Sequence, residues 1–512
     1  MKRLLAVCLV LALLCGCNAD RAQTEEATED TTEAPTETVA HVRQDDGIFG
    51  LSYLPEYGLN PFTSNATVNR ALFSLLYESL FVVSNRFRAE PLLCESFRAS
   101  EDSMTYSFTL ISDACFSDGT KMTAEDVVRS IQAAQGSELY SARLSHIREV
   151  RSEADGTVTV RLDTPYENFC LMLDVPIVKA STIEGFCPVG SGPYVKQGQT
   201  LVPNPHRRQD AAPVVDEQTI PLNSADTSRG LRDQFEFGTT DLTYCDPNAP
   251  SAVGYRCDYE AWEAPTTILH YIGFNFGSGY FADDTLRAAV TYAVDRGSLV
   301  TEVYGGFAQA GVLPCSPLSD LYDAQLAEEY DYAPSAFTAA VHNSGVLTEP
   351  SYADHVGYFL VCSEDPTRVA AAEAIAEALR GAGLNIVVSA KGWSDYKAAL
   401  KNGDFDLYYG EVRLTTNFDL SPFFDEDGAL SYGSVASADL ARLCTEALAN
   451  SGDYVKLCSQ ILSGGRLCPV VFKSYAVYAT RGVISTLTPG VDYLFRNAAA
   501  ARSLSDADRT YE

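Results

Sequence analysis

The sequence predicts an α/β protein. Three observations carry that expectation. Residues 355–412 alternate strand, helix, strand, helix, strand. Stretches such as Thr157-Val158-Thr159-Val160-Arg161-Leu162 alternate apolar and polar side chains, as half-buried strands do. No apolar run beyond position 46 is long enough to cross a bilayer. A strand–helix order of this kind builds a parallel sheet covered by helices, and ligands of such sheets tend to sit beyond the carboxyl ends of the strands.

The elements follow in order. Ile48 to Leu54 reads as a strand, and Leu59-Asn60-Pro61 turns the chain. Asn65 to Leu80 is predicted to be one helix, with Leu72, Leu75, Leu76 and Leu80 on its apolar face. Tyr106 to Leu110 alternates like a half-buried strand, and Phe116-Ser117-Asp118-Gly119 is a turn. Thr123 is placed to cap a helix running to about Ala134, with Glu125 and Asp126 on its positive end. Downstream, His355–Cys362, Leu384–Ser389 and Phe405–Val412 are predicted strands. The helices between them span Thr367–Arg380 and Ser394–Lys401 and end at glycines.

The first 46 residues are read apart from the fold. Met1-Lys2-Arg3 is basic, and Leu4 to Leu14 is apolar but shorter than a membrane-spanning helix. Leu14-Cys15-Gly16-Cys17 resembles the lipobox of bacterial lipoproteins, which implies cleavage and lipidation at Cys17. A buried N-terminal helix is the alternative; the polar stretch that follows argues against it. Residues 18–46 hold nine acids and two arginines and little that could be buried. Such a stretch is expected to be a disordered tether.

The net charge is −31, and most of it sits beyond the tether. An acidic body argues against nucleic acid as a partner. Beyond Cys8, Cys15 and Cys17, the remaining cysteines are scattered without a CxxC pair, so they read as small buried hydrophobes. There is no GxxxxGK[ST] and no HExxH, and the six histidines lie far apart. Gly190-Ser191-Gly192 lacks the frame of a nucleophile elbow. The reading is of a protein without a catalytic residue set, a cofactor or a metal.

Six motifs, in order, carry a resemblance. They are Leu59-Asn60-Pro61 with Leu76-Tyr77-Glu78-Ser79-Leu80; Phe116 to Thr120 with Thr123 to Val128; Val189 to Tyr194; Gly273-Phe274-Asn275; Leu286 to Val290 with Tyr292 to Arg296; and Gly403-Asp404-Phe405-Asp406-Leu407. Together they resemble the family 5 solute-binding proteins of ABC importers, whose members bind peptides, metal chelates, opines or sugars. The resemblance implies a two-lobed periplasmic-binding-protein type II fold with an extra subdomain in the first lobe. Lobe one would comprise 47–63, 185–268 and 476–512, the extra subdomain 64–184, and lobe two 269–475. It also implies a monomer on the outer face of the cytoplasmic membrane, lipid-anchored, that hands a short peptide or similar solute to a permease and its ATPase. A surface receptor that senses peptides without transport is the alternative.

For the pocket, the resemblance implies a main-chain contact at Thr67 and a cleft wall at Trp393. Peptide-binding members carry a carboxylate for the ligand's α-amino group just after the G-x-F-D strand; here that place falls on Thr415 or Thr416. Glu411 and Arg413 lie two apart on a predicted strand and therefore share a face. Arg413 would grip a carboxylate and Glu411 an amine, or both would be solvated or paired within the protein.

Overall fold

A computed structural model of the chain describes residues 49–208, 219–250, 252, 254–277, 279–491, 493–495 and 499–501. Cys17 and the tether lie outside the described residues.

The main sheet joins two differently built halves through two long strands, Tyr259–Phe274 and Cys468–Thr480, which pair antiparallel along most of their length. On one side the order runs outward from Cys468–Thr480 through Leu242–Cys245, Leu51–Tyr53, Ile220–Ser224, Thr200–Pro203 and Tyr194–Gln197. On the other it runs from Tyr259–Phe274 through Leu407–Arg413 and Gly357–Cys362 to Ile386–Lys391. Those last three strands are mutually parallel, as the strand–helix alternation requires. Between them run the helices Pro366–Gly381 and Trp393–Asn402. Asp365 caps the first, accepting from the backbone N–H of Thr367 and Arg368; Gly403, at φ +74°, ends the second.

A separate four-stranded antiparallel sheet comes from the region predicted as the extra subdomain: Cys94–Ala99, Thr105–Leu110, Val158–Leu162 and Ile147–Ser152. The helix Ala124–Gln135 packs on it. Its start is the one read from the sequence. Thr123 Oγ1 accepts from the N–H of Asp126, and the Asp126 carboxylate accepts from the N–H of Thr123 at 2.9 Å.

One element differs from its sequence expectation. Residues 65–80 form two short helices, Thr67–Ala71 and Phe73–Leu76, followed by the strand Glu78–Ser79. The apolar face is buried as predicted, but Tyr77 is extended, and Glu78 and Ser79 pair with Ile177 and Pro176. The distant Gly190 and Gly192 enforce the break. The Gly192 N–H donates to Leu76 O at 3.0 Å, and a Cβ on either glycine would stand 2.2–2.4 Å from the Leu76 backbone. The backbones approach too closely for the helix to continue.

Two large apolar clusters fill the molecule. One runs beneath the small sheet and the first half of the main sheet into residues 396–495, and the other lies among the helices around Phe359, Ile375 and Leu407. Seven cysteines are buried, and among the described residues none forms a disulfide. Burial pushes the Cys94 thiol up to about 11 and the Cys170 thiol to about 12, so neither is a nucleophile at neutral pH. Among the described residues no helix is long and apolar enough to cross a membrane.

Candidate functional site

The long strands carry the site because they belong to both halves of the sheet. Their pairing shifts register between Pro265 and Ile268. The bulged residues are held in place: Thr266 donates to Lys473 O at 2.5 Å, and Thr267 donates to Leu414 O at 2.6 Å. A bulge bends a strand and opens space beside it. Beside this one lies a cavity of about 780 Å³, counting space open to solvent, bordered by Pro265 and Thr266.

Four parts of the chain supply its walls. The segment 70–79 contributes Arg70, Phe73 and Tyr77. Tyr140 and Asp174 come from segments next to the small antiparallel sheet. Tyr244, Tyr475 and Arg413 come from the main sheet, and Val491, Tyr493 and Leu494 from the C-terminal segment. Phe73 and five tyrosines stand in the lining, with two guanidiniums set among them. Tyr244 and Tyr475 stand 5.5 Å apart, centroid to centroid.

Arg413, at the carboxyl end of Leu407–Arg413, is exposed to the cavity. Its Nη2 donates to the Tyr475 hydroxyl at 3.4 Å, and its guanidinium lies 5.9 Å from that ring's centre. Among the described residues no carboxylate lies within ion-pair distance of it.

Glu411 shares Arg413's face but has protein partners. His270, its register partner on the adjacent strand, places Nε2 2.8 Å from Glu411 Oε2. Lys473 Nζ lies 3.9 Å from the same oxygen and 2.5 Å from Asp246. Arg368, bonded to Asp365 at 3.0 Å, adds a second cation. Burial alone would raise the Glu411 carboxyl, but the His270 hydrogen bond, the His270 charge present at the low pH where this group titrates, and the charges of Arg368 and Lys473 outweigh it and hold the group at about 2. Burial lowers the His270 imidazole below its ordinary value, against the pull of Glu411. At neutral pH the ring is therefore neutral: Nε2–H donates to Glu411, and the charge balance comes from Lys473 and Arg368. Nδ1 accepts from the Tyr304 hydroxyl at 2.7 Å, and Tyr304 in turn accepts from Tyr409 at 2.9 Å. The Lys473 ammonium is raised: burial opposes the charge, but Asp246 and Glu411 overcome it.

The other residues singled out from the sequence lie apart from the described lining. Trp393 begins its helix, stacks on Tyr396 at 6.0 Å, has the Lys397 ammonium 5.1 Å over its ring and donates its backbone N–H to Glu364 Oε1 at 2.8 Å. It is 47% exposed at the carboxyl edge of the parallel strands, free to meet a ligand or solvent. Thr67 is half-buried in the first turn of the helix that carries Arg70. Thr415 donates to Asn417 Oδ1 at 2.6 Å and accepts from the N–H of Asp419, closing its own turn. Thr416 is buried and donates to Leu171 O.

Lys473, His270 and Arg368 were not singled out from the sequence. A signal for two of them exists: each is a lone polar residue in an apolar strand, in Val471-Phe472-Lys473 and Ile268-Leu269-His270-Tyr271-Ile272. Buried charges of this kind have partners. Among the described residues no cluster of three or more His, Cys, Asp or Glu side chains could hold a metal ion.

Residues 88–427 match the family model of the bacterial extracellular solute-binding proteins, family 5 Middle. The chain belongs to the family 5 extracellular solute-binding proteins. Among curated relatives of this family 5 chain, the glutathione-binding protein GsiB of Salmonella typhi is 24% identical over 308 residues, covering 56% of this chain and 59% of that protein. GsiB of Escherichia coli O157:H7 is 26% identical over 280 residues, covering 50% and 54%. The chain thus spans little more than half the length of these relatives. Solved structures resemble it over more of its length. The periplasmic murein tripeptide-binding protein MppA, in an unliganded open form, superposes with a TM-score of 0.70 at 16% identity over 91% of this chain and 98% of that one. The oligopeptide-binding protein AppA from Bacillus subtilis, with a nonapeptide, gives 0.58 at 18% identity over 89% and 98%. NikA from Brucella suis, with Fe(III)-EDTA, gives 0.68 at 17% over 89% and 100%. The family 5 chain has their type II periplasmic-binding-protein fold, in which the two long strands link the halves that flank the cavity.

Proposed function

We propose that the protein is the solute-capturing subunit of an ABC importer. It takes a short peptide or a similar small solute into the cavity between Arg413, Tyr475 and the segment 70–79, and it delivers that solute to a permease driven by a separate ATPase. The observation that carries this reading is the cavity at the bulge of the two shared strands, in a chain of family 5. Three of the similar proteins are named for glutathione, murein tripeptide and oligopeptide, which are peptides, and NikA was solved with Fe(III)-EDTA. The protein acts as a monomer without chemistry of its own. A bound ligand need only favour the closed arrangement of the halves over the open one. Arg413 anchors an acidic group of the solute, and Trp393, at the carboxyl edge of the parallel strands, offers a flat apolar wall to the part that extends beyond the cavity.

The same reading places the protein on the outer face of the cytoplasmic membrane, tied there by lipid on Cys17. Growth on peptides as sole source of an essential amino acid tests transport: a strain lacking the protein should lose it and Cys17→Ala should reduce it. Unchanged growth in the deletion strain contradicts the importer role. Unchanged lipid labelling in Cys17→Ala contradicts the anchor.

A further inference from the structure

We propose that this site selects its ligand by an anionic group, held at Arg413, and does not require a free ammonium group. The inference rests on the capture reading above and names the class of solute captured.

The argument is a census of carboxylates. Two line the cavity among the described residues, Glu78 and Asp174. Glu78 is 8% exposed at its side chain and pairs with Arg208 at 3.3 Å; Asp174 is 5% exposed and pairs with Arg143. Both guanidiniums are themselves only 12% exposed. Pulling either acid away to meet a ligand would strand a buried cation, which is strongly unfavourable. Glu411, two residues before Arg413 and outside the described lining, is occupied by His270 and Lys473, and Asp246 by the same lysine. Asp419, downstream on the same loop, borders a different and smaller cavity, where Ser421 donates to it and His146 lies 4.0 Å away. Each of these acids already has a protein partner.

The cations are distributed differently. Among the described residues, Arg413 faces the cavity with a tyrosine hydroxyl and ring beside it and no acid paired to it. Arg70 adds a second guanidinium to the lining. The chain carries −31 overall, yet among the described residues no acid is paired with Arg413 at this cavity. A guanidinium in that position binds a carboxylate or another planar oxyanion with two parallel hydrogen bonds, and the tyrosines around it accept an apolar or aromatic flank. The ligand class is therefore compact acids with an apolar body. C-terminal carboxylates of small peptides belong to it, and so do N-blocked peptides and acids that are not peptides.

The test uses the full chain in calorimetric titrations with five probes: the tripeptide Ala-Phe-Ala, its N-acetyl form, its C-terminal amide, 3-phenylpropanoate and phenethylamine. N-acetylation should change the dissociation constant by less than about threefold, and amidation should weaken it about tenfold or more. Arg413→Ala should erase the difference between acid and amide. If the peptides fail while 3-phenylpropanoate binds through Arg413, peptide capture is refuted and anion selection stands. If the peptides bind but N-acetylation costs about tenfold or more, capture stands and anion selection is overturned. Binding of phenethylamine without its acid counterpart, or failure of every carboxylate probe, also overturns it.

Discussion

Nε2 of His270, a side chain with no solvent exposure, lies 2.8 Å from Oε2 of Glu411, directly across the strand pair. This hydrogen bond distinguishes two charged residues that share one face of the strand. It engages Glu411 within the protein and leaves Arg413 to the cavity.

The pair makes stability depend on acid. The Glu411 carboxyl is held at about 2 by His270, Arg368 and Lys473 against its burial, below the ordinary value of roughly 4.3. A depressed carboxyl stabilises the fold fully above its ordinary value, and that contribution is lost as pH falls from about 5 toward 2. Because 32% of the side chain meets solvent, the effect is discounted to about 1 kcal/mol. Calorimetric melting of wild type and Glu411→Gln across this range should show the wild type's advantage shrinking as pH falls. A constant gap would contradict the pairing.

His270→Ala should cost about 2–4 kcal/mol in urea unfolding, since it opens a cavity, removes the acceptor of the Tyr304 hydroxyl proton and takes a donor from Glu411. His270→Gln should recover part of that loss, because its amide can still donate to Glu411.

Gly192→Ala should destabilise by about 1–3 kcal/mol or more, because the new Cβ would stand 2.4 Å from the Leu76 carbonyl carbon. Gly156→Ala provides the contrast. Its φ of +86° strains the substitution, but no atom lies within 4 Å of the new Cβ, so the loss should be near 1 kcal/mol. Equal losses would mean that the contact with Leu76 does not end the helix.

What could be read from the sequence was local. The helix start at Thr123 follows from a side chain and a backbone three residues apart, and the parallel layer from regular alternation between residues 355 and 412. Period-two spacing put Glu411 and Arg413 on one face. Which of them keeps a free charge depends on His270 and Lys473, 141 and 62 positions away, and in so acidic a chain no spacing marks such a pair. The break at Leu76 has the same origin: residues 65–80 carry a continuous apolar face, and only the approach of Gly190 and Gly192 interrupts it.

The central claim is that the cavity captures an acidic solute at Arg413. Native mass spectrometry of the wild type and Arg413→Ala, purified alike without denaturation, tests it most directly. A charge-assisted hydrogen bond is worth roughly 1.5–3 kcal/mol, or about tenfold or more in affinity. The wild type should carry a small adduct that fragments as an acid, and the variant should carry little or none while melting at the same temperature when free of ligand. An adduct without an acidic group, or one retained equally by Arg413→Ala, would contradict the account.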